Sequence, residues 1–132
     1  MYNNAKIVKN GNRSIKPKDV ERMIDFNQKK GFICDMDGVI YHGNKVLDGV
    51  VEFVNWLQSE KKDYLFLTNN SGLTPKELQQ KLFRMGLDVP EEHFYTSALA
   101  TAQFLKNQAP GCSVFAIGEA GLLNALYDVG IT

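Results

Sequence analysis

The chain has 132 residues, 44% of them hydrophobic, 23% charged and 11% aromatic. That is the size and balance of one soluble globular domain, which excludes the disordered, collagenous and disulfide-scaffold classes. The 15 basic and 15 acidic residues cancel, but unevenly: residues 1–30 hold eight Lys/Arg against three Asp/Glu, and residues 31–132 hold seven against twelve. An acidic body argues against nucleic acid as a partner, because neutralising phosphates takes a basic surface. It suits a metal ion that bridges carboxylates to an anion. No apolar stretch nears the roughly 20 residues of a membrane span, and the N-terminus lacks the apolar core of a secretion signal, so no membrane partner is expected. Cys34 and Cys112 lie far apart, outside any CxxC or His/Cys metal spacing, which fits a reducing, cytoplasmic setting.

In chain order, residues 1–16 show no hydrophobic period and read as a basic extension of the Asn/Lys-rich kind rather than an organellar presequence. The spacing of Val20, Met23, Ile24 and Asn27 predicts a short helix between Pro17 and Lys30, stopped by Gly31. Phe32-Ile33-Cys34 is a continuous apolar run of the sort buried on both faces of a parallel sheet, and it ends abruptly at Asp35-Met36-Asp37-Gly38. The turn residues His42-Gly43-Asn44, between Val39-Ile40-Tyr41 and Lys45-Val46-Leu47, predict a hairpin.

Asp48-Gly49 reads as the loop and cap before an amphipathic helix over about 49–60, where Val50, Phe53, Val54 and Leu57 follow i, i+3, i+4, i+7 spacing. The next apolar run, Tyr64-Leu65-Phe66-Leu67, closes on Thr68-Asn69-Asn70-Ser71-Gly72. Thr74-Pro75-Lys76-Glu77 supplies an N-cap, a first-turn proline and a capping-box glutamate for a helix whose stripe is Leu78, Leu82 and Met85 and whose stop is Gly86. Ser97 is expected to cap a third helix carrying Ala98, Thr101, Ala102 and Leu105. Val114-Phe115-Ala116-Ile117 reads as a third strand, followed by a helix with Leu122, Leu123, Leu126 and Val129. Strands alternating with helices predict an α/β protein with a parallel, three-layer α/β/α sheet. Three strands are few for such a sheet.

In open α/β sheets the ligand site lies beyond the carboxyl ends of the strands, which singles out Asp35, Asp37, Thr68, Asn69 and Ser71. Two carboxylates at i and i+2 leave a strand on the same side and repel each other unless a cation or a shared proton relieves them. With oxygen donors alone the cation expected is Mg²⁺. One carboxylate of such a pair can attack phosphorus while the other moves the proton, with hydroxyl and backbone N–H groups at Thr68 to Ser71 receiving the phosphoryl group. Asp-x-Asp-Gly alone could equally be a turn. The joint occurrence of the acid pair after one strand and Thr-Asn-Asn-Ser after the next favours a site. His42 and His93 read as solvent-facing turn residues, and Trp56 as packing. Gly118-Glu119-Ala120-Gly121 falls short of the G-x-G-x-x-G of a dinucleotide loop, which leaves a nucleotide-binding Rossmann domain as a weaker reading.

Phe32-Ile33-Cys34-Asp35-Met36-Asp37-Gly38-Val39 followed by Phe66-Leu67-Thr68-Asn69-Asn70-Ser71 resembles the haloacid dehalogenase (HAD) superfamily, and within it the NagD-like, C2-capped branch. The likeness runs from about Gly31 to Thr132 and includes Phe94-Tyr95-Thr96-Ser97-Ala98 and Ile117-Gly118-Glu119. It implies a Rossmann-like core, Asp35 as nucleophile, Asp37 as general acid/base, Mg²⁺ held by Asp35 and the main-chain carbonyl of Asp37, and phosphate bound by Thr68 and the Asn69 amide. It also makes the hairpin a flap beside the site. The function implied is Mg²⁺-dependent hydrolysis of a small-molecule phosphate ester through an aspartyl-phosphate. The family's restraining lysine and later Gly-Asp motif have no match here, since Lys106, Glu119 and Asp128 stand in the wrong context, and the C2 cap is missing. Residues 31–132 are therefore expected to be the N-terminal portion of such a core, inactive alone, preceded by a basic extension over 1–30. The alternative expectation is a catalytically silent module that associates with another chain through an exposed sheet edge, which also leaves homo-oligomerisation open.

Overall fold

A computed structural model describes residues 24–132. Most of the N-terminal extension therefore lies outside the described residues, including Val20 and Met23 of the expected helix. The part that is described forms only a three-residue 3-10 turn, Phe26–Gln28, and leaves Ile24 and Phe26 exposed. The cause is local: the Asp25 carboxylate accepts the Asn27 N–H (3.0 Å), a side-chain bond that competes with helix continuation.

Strand β1 (Gly31–Asp35) is the first element of the sheet. It leads into a small antiparallel hairpin, β2 (Tyr41–His42) and β3 (Lys45–Val46). Tyr41 pairs with Val46 and His42 with Lys45, so the turn is the two residues Gly43-Asn44. Gly43 takes φ 59°, the positive value that primed hairpin turns ask of their first central residue. Helix α1 (Val50–Ser59), strand β4 (Asp63–Thr68) and helix α2 (Pro75–Arg84) follow. The α2 start is the expected capping box: Thr74 Oγ1 accepts the Glu77 N–H (3.2 Å) and Glu77 Oε2 accepts the Thr74 N–H (2.8 Å). Strand β5 (Phe94–Thr96), helix α3 (Ser97–Gln108) and helix α4 (Ala120–Asp128) complete the chain.

The three-stranded sheet has the order β1-β4-β5 and is parallel throughout. Its third member is not the expected Val114–Ile117 run. That run carries no strand pairing; the Val114 N–H donates to the Thr132 carbonyl (3.1 Å), while Phe115 and Ile117 are 93% and 87% exposed. Apolar character makes a residue suited to a strand, but only an aligned row of partner N–H and C=O groups makes it one. The third strand is Phe94–Thr96, whose aromatic and β-branched residues alternate buried, exposed, buried.

On one face of the sheet Phe32, Cys34, Tyr64 and Phe66 pack against Val50, Val54 and Leu57 of α1 and Leu78 and Leu82 of α2. Phe32 meets Phe53 and Trp56 edge-on, at centroid distances of 5.9 and 5.5 Å. The expectation that the β1 run is buried on both faces does not hold among the described residues: Ile33 is 73% exposed, because no helix lies over β1 on its side of the pleat. A second apolar cluster joins α3 to α4 through Ala98, Ala102, Ala125 and Leu126. The cap of α3 is Thr96, whose hydroxyl accepts the Leu99 N–H (3.2 Å), and Ser97 is the first helical residue instead. His93 is not solvent-facing either. It is half-buried, stacked on Tyr64 with centroids 3.8 Å apart, and its Nδ1 is 2.8 Å from the Tyr64 carbonyl.

Candidate active site

The acid pair is arranged by the pleat. Met36 is fully buried in the main core, so its neighbours Asp35 and Asp37 both turn outward and are exposed. The Met36 N–H donates to Asp35 Oδ1 (2.8 Å), which fixes one carboxylate oxygen and leaves the other free. The Met36 carbonyl accepts N–H groups from Val39 (3.2 Å) and Ile40 (2.8 Å), and the Gly38 N–H donates to the Tyr41 carbonyl (2.8 Å). These bonds close the turn behind Asp37, and Gly38 takes the positive φ (76°) that the turn requires.

Asp35 pairs in register with Leu67, so Thr68 lies one residue further along the neighbouring strand. Thr68 is 5% exposed, and its Oγ1 accepts the Asn70 N–H (3.1 Å). Asn70 Oδ1 in turn accepts the Gly72 N–H (2.8 Å), and Ser97 Oγ donates to the Asn69 carbonyl (2.8 Å). The segment after β4 is thus a bonded loop rather than a loose one. Asp35, Thr68 and Asn69 open together on one cleft of about 500 Å³ that Tyr95, Ser97 and Ala100 also line. Asp37 is not among the residues lining that cleft, and Ser71 is exposed outside it.

Asp37 has a partner the sequence did not reveal. Tyr41 is 3% exposed, with Lys81 Nζ 4.4 Å from its ring centroid. Burial, a hydrogen bond to the Asp37 carboxylate and the negative charges of Asp37 and Asp35 push the Tyr41 phenol up to about 12. The phenol therefore stays protonated well above neutral pH. The signal available in the sequence was the four-residue distance from Asp37 to Tyr41 across a predicted turn, which brings both to one end of the hairpin.

The donors fit a hard divalent cation in kind: two carboxylates and main-chain carbonyls, all oxygen. They fall short in number, since no group of three or more His, Cys, Asp or Glu side chains poised for a metal occurs among the described residues. Chemically, the free Asp35 oxygen can act as a nucleophile, and the loop after β4 can offer N–H and O–H donors to an anion beside it. No helix among the described residues is long and apolar enough to cross a membrane.

Comparison with known proteins agrees with the resemblance. The sequence model of a family described as haloacid dehalogenase-like hydrolase matches residues 32–132. An acid sugar phosphatase of Staphylococcus saprophyticus is 39% identical over 102 residues, which are 77% of this chain and 39% of that protein. Among solved structures, NagD from Escherichia coli K-12 superposes with a TM-score of 0.75 at 38% identity, covering 79% of this chain and 41% of its own. A 4-nitrophenylphosphatase from Thermotoga maritima gives a TM-score of 0.73 at 33% identity, covering 80% and 41%. The chain thus spans about two fifths of the length of the relatives it matches.

Proposed function

The chain belongs to the haloacid dehalogenase-like hydrolase family, and from that premise we propose that residues 31–132 are the nucleophile-bearing portion of a Mg²⁺-dependent phosphomonoester hydrolase. The observation that carries the proposal is the shared cleft, onto which Asp35 opens from β1 and Thr68 and Asn69 open from β4. In the proposed reaction an Asp35 carboxylate oxygen bonds to phosphorus as the ester P–O bond breaks. Asp37 gives its proton to the leaving alkoxide. Asp37 then takes a proton from water, whose oxygen attacks the aspartyl-phosphate, releasing inorganic phosphate and restoring Asp35. Thr68 and the Asn69 amide bind the phosphoryl oxygens throughout. Asp35 and the Asp37 carbonyl would hold Mg²⁺, which supplies charge neutralisation at those oxygens when bound. The substrate class is a small-molecule phosphate ester and the setting cytoplasmic.

A second reading is favoured by one observation. The outer edge of β1 is unpaired among the described residues, and Ile33 is 73% exposed beside it. Such an edge suits a catalytically silent module that pairs with another chain, including a second copy. One experiment separates the two. The chain is incubated with Mg²⁺ and p-nitrophenyl phosphate, and phosphate release and phosphorylation of Asp35 are followed by colorimetry and intact mass. Activity or labelling that disappears in Asp35→Asn supports the hydrolase; turnover undiminished in that variant overturns the role of Asp35. Absence of both, with a concentration-dependent dimer in sedimentation, supports the silent module.

A further inference from the structure

The Gly118-Glu119-Ala120-Gly121 segment falls short of a dinucleotide loop, yet it touches the loop that carries the candidate site. Helix α4 begins at Ala120, and Gly121 is buried within its first turn. A Cβ at Gly121 would lie 2.5 Å from the Ser71 carbonyl oxygen, 2.8 Å from the Gly72 carbonyl carbon and 2.8 Å from the Leu73 carbonyl oxygen. All three obstacles are backbone, so no side chain can fit without displacing the loop that follows β4. Gly121 is required for close approach and not for an unusual φ.

Its amide is also committed. The first N–H groups of a helix have no partner within it, and that of Gly121 donates to the Gly72 carbonyl (2.9 Å). The bond extends the series already described: Thr68 Oγ1 to the Asn70 amide, Asn70 Oδ1 to the Gly72 amide, and now the Gly72 carbonyl to Gly121. Glu119 closes the same contact from its side, since a Cβ at Gly72 would fall 2.6 Å from Glu119 Oε2. Gly118 makes an instructive contrast. The three atoms nearest a Cβ there all belong to the Leu122 side chain, with Cδ2 at 2.9 Å, and the end of that side chain can rotate aside.

We infer that Gly121 is a positioning residue: its bare backbone lets the first turn of α4 clasp the Ser71–Leu73 backbone and so holds Thr68 and Asn69 in place for phosphate. The inference rests on the hydrolase reading for its use, though not for its geometry. Donors that are fixed before the ligand arrives spend no free energy on reorganisation, which is what a phosphoryl cradle needs.

The test compares Gly121→Ala with Gly118→Ala by amide hydrogen exchange in NMR and by titration of each chain with inorganic phosphate in the presence of Mg²⁺. Gly121→Ala is expected to speed exchange of the Asn70 and Gly72 amides by about tenfold or more, leave the β1 and β4 amides unchanged, and weaken phosphate by about tenfold. Gly118→Ala is expected to do neither. Loop exchange in Gly121→Ala no faster than in Gly118→Ala overturns the inference, as does unchanged phosphate affinity. Should the wild-type chain bind no phosphate, the hydrolase reading suffers and the exchange comparison still decides on the clasp. Should Gly121→Ala fail to fold, the wild type decides: the Gly121 amide is expected to exchange about tenfold or more slowly than that of Ala120, and equal rates would show that no clasp exists.

Discussion

Two apolar runs of similar composition meet different fates in this molecule. Tyr64-Leu65-Phe66-Leu67 becomes the middle strand of a parallel sheet, with β1 on one side and β5 on the other, and Phe66 is fully buried. Val114-Phe115-Ala116-Ile117 pairs with no strand among the described residues: Val114 and Ala116 pack partly buried on the α3–α4 cluster, Phe115 and Ile117 are exposed, and the Val114 N–H bonds the Thr132 carbonyl. The difference lies in neighbours and not in residue type. A strand is a contract between two backbones, and side-chain hydrophobicity settles only which face is buried once the backbones have paired.

The largest expected effect breaks that comparison at its packed end. Phe66→Ala should destabilise the fold by about 3–5 kcal/mol, through lost burial and the cavity left behind. Phe115→Ala should change stability by less than about 0.5 kcal/mol. Urea unfolding followed by circular dichroism measures both, and equal losses would mean that the Phe115 side chain is packed like that of Phe66.

A smaller effect, about 1 kcal/mol, is expected from Thr74→Ala, which removes the cap of the helix directly after the β4 loop. The Glu77 carboxyl of that capping box is held below its ordinary value by the Thr74 backbone N–H and then by the Thr74 hydroxyl. A depressed carboxyl contributes above its unfolded value and loses the contribution as pH falls through the folded one. Thermal melts on an acid series should therefore lose that component in wild type and a smaller one in Thr74→Ala, which keeps the backbone N–H and lacks only the hydroxyl, while Glu77→Gln should lack it.

At the alkaline end the sign reverses. Tyr41 is raised to about 12 by burial first and by Asp37 second, so its contribution is whole below the unfolded phenol value of about 10 and disappears as pH rises through about 12. Tyr41→Phe should remove that alkaline component; melts that fall identically in both proteins would show that folding does not raise the Tyr41 phenol. The smallest expected effect is that of Ile33→Lys on the open face of β1. It should leave monomer stability within about 0.5 kcal/mol while lowering any self-association seen in sedimentation.

Much of the fold was legible because it is governed by short-range rules. The helix stripes at Val50, Val54 and Leu57 and at Leu78 and Leu82 follow helical periodicity, and the α2 cap follows from Thr74 and Glu77 alone. The placement of Asp35, Thr68 and Asn69 on one cleft was legible too, since strand ends in parallel sheets gather on one side. What escaped depends on contacts between distant segments. Three residues of β5 are too few for an alternation to stand out, and the Phe94–Thr96 pairing exists only because β4 lies beside it. Ser97 looked like a cap, yet its hydroxyl ties the Asn69 carbonyl 28 positions earlier in the chain. Tyr41 looked like a hairpin residue, and Gly121 like half of an incomplete dinucleotide motif, until the loops that they touch were in place.

Cys34 stands immediately before Asp35, and a thiolate there would be the better nucleophile of the two. The pleat that turns Asp35 outward sends Cys34 toward the apolar core, and burial pushes its thiol up from the ordinary value. At neutral pH it is therefore a protonated, uncharged sulfur. In the proposed reaction the strand would thus settle the competition between adjacent nucleophiles by parity alone, silencing the soft one and presenting the hard oxygen. That selectivity would also spare the strand end the oxidative chemistry that an exposed thiolate invites.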